Sequence, residues 1–101
     1  MTRADPSRSP PEAARYFDAF AEGRWDDDAQ LGYIYPQDRA RLAEDGSVLI
    51  VGTAGVDGLE FAIRDGHPKV WVFYPLDAEW RQVALDIDTL DRAWRDRTLS
   101  L

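Results

Sequence analysis

From Ser47 onward the chain changes period. Three runs, residues 47–53, 59–65 and 69–75, are rich in valine, isoleucine and aromatic side chains and are separated by short glycine-containing turns. Parallel neighbours would need a crossover of roughly a dozen residues or more, so these runs are restricted to an antiparallel meander. In the middle run Leu59, Phe61 and Ile63 alternate with Glu60, Ala62 and Arg64, which predicts one buried and one mostly wet face. Residues 48–51 and 70–74 are apolar in both phases. They imply either burial on both sides or an apolar patch awaiting a partner.

The stretch Gly52-Thr53-Ala54-Gly55-Val56-Asp57-Gly58 joins the first two runs. A phosphate-cradling loop needs amides converging at a helix N-terminus, and a P-loop also needs a lysine and a hydroxyl at fixed places. Here an alternating strand follows instead, and Asp57-Gly58 is a preferred pair where a hairpin requires positive φ. The glycines therefore read as turn chemistry.

Upstream, Ser9-Pro10-Pro11-Glu12 has the form of a capping box, with proline suited to the first helical position. Ala13, Phe17, Phe20 and Ala21 recur at helical spacing before Gly23. A second short helix is expected over residues 36–44, because Pro36 presets φ and Leu42 with Ala43 offers an apolar side. Residues 31–35 read as a short strand or an extended connection. Near the C-terminus Asp86 caps a helix in which Ile87, Leu90 and Trp94 share one side, with Leu85 placed as a hydrophobic staple against Leu90. The fold class is α+β: an antiparallel meander of three to four strands packed against N-terminal and C-terminal helices. A loose tail is expected over residues 1–8 and a single domain over residues 9–101.

A formal charge of −7 repels phosphate backbones and argues against nucleic-acid binding. With no cysteine, disulfides and thiolate chemistry are excluded and zinc loses its commonest ligand. No run approaches the roughly eighteen apolar residues of a spanning helix, and no apolar leader core follows the first charges. A cytoplasmic location without membrane association is expected. His67, the one histidine, sits in Asp65-Gly66-His67-Pro68 and reads as a solvated turn residue. Asp26-Asp27-Asp28 lacks calcium-loop spacing and reads as a solvated acidic loop. Asp86, Asp88 and Asp91 fall where negative charge offsets a helix dipole. No catalytic constellation is visible, so neither enzymatic activity nor a metal or cofactor is expected.

Trp71, Phe73 and Tyr74 point to both faces of one run. Their ordinary role is core packing; the functional alternative is that one side, with Trp80, presents aromatic anchors to a protein partner. Asp26, Asp27, Asp28 and Asp57 would then steer a basic partner by complementary potential.

Residues 50–58 with Phe61, then Val70-Trp71-Val72-Phe73, then Glu79-Trp80-Arg81-Gln82-Val83-Ala84 leading into the last helix, together resemble the SMI1/KNR4 (SUKH) family over residues 31–97. The chain looks like a shortened or N-terminally diverged member. That resemblance implies an α+β fold and a binding role without a cofactor. In bacteria the family is associated with immunity against secreted polymorphic toxins, many of them nucleases. The expected function is thus a bacterial immunity protein that binds a basic toxin domain, with Trp71, Phe73, Trp80, Asp26, Asp27, Asp28 and Asp57 at the contact. The alternative is a regulatory scaffold or a self-associating subunit whose same apolar sheet face closes a homodimer.

Overall fold

The alternation around Phe61 places the sheet. A computed structural model of the chain describes residues 5–99. Strands β4 (Val48–Thr53), β5 (Glu60–Arg64) and β6 (His67–Tyr74) form the antiparallel meander read from the sequence. The sheet is wider than three to four strands, because β1 (Arg24–Asp26), β2 (Leu31–Ile34), β3 (Arg41–Ala43) and β7 (Glu79–Ala84) extend it to seven among the described residues. β7 pairs antiparallel with β6, and β1 with β2. The far side of β4 is shared: β2 meets it at Gly52 and β3 covers Val48 to Ile50.

This sharing explains why no helix forms over residues 36–44. Pro36 has no amide to donate, so the extended segment begun by β2 stops there. Its carbonyl accepts from the amides of Arg39 and Ala40 at 2.9 and 3.0 Å, giving a single turn. Arg41, Leu42 and Ala43 then resume pairing opposite Ile50, Leu49 and Val48. A helix in this place would have left that half of the β4 edge without partners. Gly52 has a similarly specific reason: a Cβ there would run into the Tyr33 carbonyl oxygen. In the hairpin that follows, Asp57 and Gly58 both take positive φ, 54° and 68°, as expected of that pair.

Helix α1 (Ala14–Ala19) follows a 3-10 turn, Pro11–Ala13, and ends before Gly23. The expected capping box is not made. The Ser9 hydroxyl donates to the Asp5 carbonyl at 2.8 Å, while Glu12 accepts from the Gly66 amide at 3.0 Å. Glu12 thereby ties this segment to the β5–β6 turn. Of the expected loose tail, residues 1–4 lie outside the described residues, and Pro6–Arg8 form a 3-10 turn capped by Asp5. Helix α2 (Ile87–Arg95) starts as read: Asp86 accepts from the Thr89 amide at 2.7 Å. The staple is absent, since Leu85 is 63% exposed while Leu90 is fully buried.

Both helices lie on one side of the sheet. Ala13, Tyr16 and Phe20 from the N-terminal segment and Ile87 and Leu90 from α2 cluster with Leu49, Val51, Phe61, Ile63, Val70 and Val72. Burying each of the valine, leucine, isoleucine and phenylalanine side chains among them contributes about 1.5–3 kcal/mol. Trp94 stacks on Tyr33, ring centroids 4.8 Å apart. The Tyr33 hydroxyl donates to Asp91 at 2.6 Å.

Candidate protein-binding face

Among the described residues, no α-helix packs on the opposite side of the sheet. Its apolar cluster is small: Val48, Ile50 and Ala62, with Tyr35, Ala43 and Trp80 packed against them. Strand alternation brings Glu60, Ala62 and Arg64 of β5 to this side, since Phe61 and Ile63 belong to the helix-side core. Ala62 pairs with Trp71, and Phe73 with Trp80. The three sequence-nominated anchors, Trp71, Phe73 and Trp80, thus share one face, whereas their neighbour Tyr74 packs toward the helix-side core.

Their contacts are specific. Phe73 and Trp80 meet at 5.2 Å in an edge-on arrangement, a geometry worth about 0.5–1.5 kcal/mol beyond area burial. The Arg64 guanidinium carbon lies 5.0 Å from the Trp71 ring and 4.5 Å from the Trp80 ring. His67 opens β6 and packs edge-on against Trp71 at 5.6 Å. It belongs to this aromatic group rather than to an isolated turn.

A second part of the face is a polar triad. Arg41 donates to both carboxylate oxygens of Glu60, at 2.6 and 2.9 Å, and the Tyr35 hydroxyl donates to the same carboxylate at 2.9 Å. The Arg41 contact holds the Glu60 carboxyl below the usual glutamate range. Burial, and then Glu60, push the Tyr35 phenol up. On β1, Arg24 and Asp26 face α2, so Trp25 projects to the helix-free side, where it stacks over Gly32. Trp25 is 59% exposed and borders an open groove of about 770 Å³ with Leu31, Tyr35, Pro36 and Thr53.

The four nominated acids divide. Asp26 accepts from Trp94 Nε1 at 2.8 Å and from Arg97 at 3.1 Å, and its other oxygen accepts the amides of Asp28 and Ala29. The Trp94 contact holds its carboxyl below the usual range. Asp28 also pairs with Arg97, at 3.1 Å. Asp27 and Asp57 are exposed and form no ion pair among the described residues. The topology nonetheless groups them: in an antiparallel sheet of this order, the β1–β2, β4–β5 and β6–β7 turns lie at the same end. That end carries Asp27, Asp28, Asp57 and Asp77 together with exposed Val56 and fully exposed Leu76.

Trp25 and Arg64 were not among the residues nominated from sequence. Arg64 shares the outward phase of the Glu60–Ala62–Arg64 alternation, but only the β5–β6–β7 pairing sets two indoles beside it. Trp25 sits in a strand of three residues, too short to show a period. Among the described residues, no three histidine or acidic side chains are arranged to hold a metal ion, and no helix is long and apolar enough to cross a membrane. No family model, curated protein or solved structure matches the chain.

Proposed function

We propose that this chain is a non-enzymatic protein-binding domain of the SMI1/KNR4 type that neutralises a basic toxin domain by docking on it. The observation that carries this reading is the helix-free sheet face, with Trp25 and Phe73 exposed on it and Trp71 and Trp80 half-buried beside them. Tryptophan, tyrosine and arginine are the residue types most enriched among interface hot spots, and a sheet side without a covering layer leaves such side chains at least partly open to a partner. The acid-bearing turns at one sheet end supply the second element. With a net charge of −7 they favour encounter with a positively charged surface and work against a second copy of the chain.

Affinity capture from native lysate provides the partner, and stopped-flow association then tests the contact. Converting Asp27 and Asp57 to lysine is expected to slow association and flatten its dependence on salt. Phe73→Ala with Trp80→Ala is expected to accelerate dissociation instead. Retention of no basic protein, or an association rate indifferent to ionic strength in the parent chain, would count against the proposal. Sedimentation addresses the competing self-association: a tight dimer burying Trp71 would favour it, and a monomer leaves the face free.

A further inference from the structure

Arg64 is the unusual group on the helix-free face. Its guanidinium is held between two indoles at 5.0 and 4.5 Å, yet among the described residues it pairs with no carboxylate and donates no hydrogen bond. Arg41, by contrast, is paired with Glu60 through two hydrogen bonds. Of the other ionisable groups on the face, His67 is edge-on to Trp71, and the Glu60 carboxylate is taken up by Arg41 and Tyr35. Neither is paired with Arg64 among the described residues. Beneath them, Val48, Ile50 and Ala62 form a dry floor. The Trp71 Nε1–H is shut off from solvent and has no acceptor, which leaves the face one hydrogen bond short in the free protein.

A guanidinium fork fixed in orientation by stacking, unneutralised and partly desolvated, has one well-matched counterpart: a planar carboxylate accepting two parallel N–H bonds. We propose that Arg64, clamped by Trp71 and Trp80, is the receptor for an aspartate or glutamate side chain of the protein partner. This rests on the reading of the face as a docking surface and adds the chemistry of its centre. Long-range attraction and short-range recognition are then separate. The acidic sheet end and the overall charge govern encounter with a basic molecule, and the Arg64 slot fixes register by demanding an acid at one position. A partner lacking that acid would bury an unpaired guanidinium, a costly arrangement.

The test needs no partner. N-acetyl-glutamate methylamide is titrated into the isotopically labelled protein while the arginine Nε–H and indole Nε1–H resonances are followed, with the glutamine analogue and inorganic phosphate as parallel arms. Saturable movement of the Arg64 and Trp71 signals is expected with glutamate, at about tens of millimolar for a lone exposed pair, and not with glutamine. Arg64→Gln is expected to abolish the movement, and Arg64→Lys to weaken it several-fold because a point charge cannot make the fork. Arg92→Gln, on the other side of the molecule, should leave it intact. Amide spectra confirm that each variant is folded. Equal response to glutamine, no response at all, or saturation by phosphate at much lower concentration than by glutamate would overturn the assignment. These results leave the docking reading standing, which falls separately if Phe73 and Trp80 prove irrelevant to the captured partner.

Discussion

Asp91 is the one charged residue among those described that is almost wholly buried, at 6% exposure. Its sequence position suggests dipole compensation, but its carboxylate accepts from the Tyr33 hydroxyl at 2.6 Å and pairs with Arg95 at 3.1 Å. It therefore joins α2 to β2 through the core. Asp91→Ala strips the acceptor from a buried phenol and leaves that hydroxyl unsatisfied, so a loss of about 2–4 kcal/mol is expected by urea unfolding. Tyr33→Phe removes the donor and leaves the carboxylate its arginine, so a smaller loss of about 1 kcal/mol is expected. Equal losses would mean the bond is not what holds the pair. At this scale the sequence was legible for Phe61, Ile63, Leu90 and Trp94, whose spacing alone assigns them a side. It was silent on Tyr16, whose hydroxyl reaches the Tyr35 carbonyl at 2.6 Å across a gap of nineteen positions.

Elements were legible where their own residues dictate them. Helix α2 carries its cap, its apolar side and basic residues in its last turn, and it begins where those signals place it. Asp86→Ala should cost about 1 kcal/mol, the usual value of a side-chain cap. Leu85→Ser should change stability by less than about 0.5 kcal/mol, because Leu85 contributes no staple. A larger effect at Leu85 than at Asp86 in thermal unfolding would reverse this ranking. Elements were illegible where a distant strand dictates them. β3 has helix-compatible residues and becomes a strand because β4 presents three unpaired positions. β7, as an edge strand, carries Glu79, Arg81 and Gln82 and lacks the apolar continuity that marked its neighbours.

At the scale of the whole molecule, carboxylates held by hydrogen bonds and ion pairs between elements make stability depend on pH. Arg15 holds the Asp88 carboxyl below the usual range across the α1–α2 contact, Trp94 does so for Asp26, and Arg41 for Glu60. A carboxyl with a lower pKa folded than unfolded adds stability that is complete above its unfolded value of about 4 and is lost as pH falls through the folded value. The urea midpoint should therefore be level from neutrality down to about pH 5 and decline steadily below about pH 4. A midpoint that stays level below about pH 4 would contradict the assigned contacts. The sequence by itself determined the antiparallel meander, the capped last helix and the absence of thiol chemistry. Short turns, a two-residue period and residue inventory are local properties that no packing overrides. The tertiary structure alone decided how wide the sheet is, that both helices take the same side, and that Arg64 lies between Trp71 and Trp80. Each of those depends on which backbone edges find partners across the chain, and strand pairing is a relation between segments that neither carries alone.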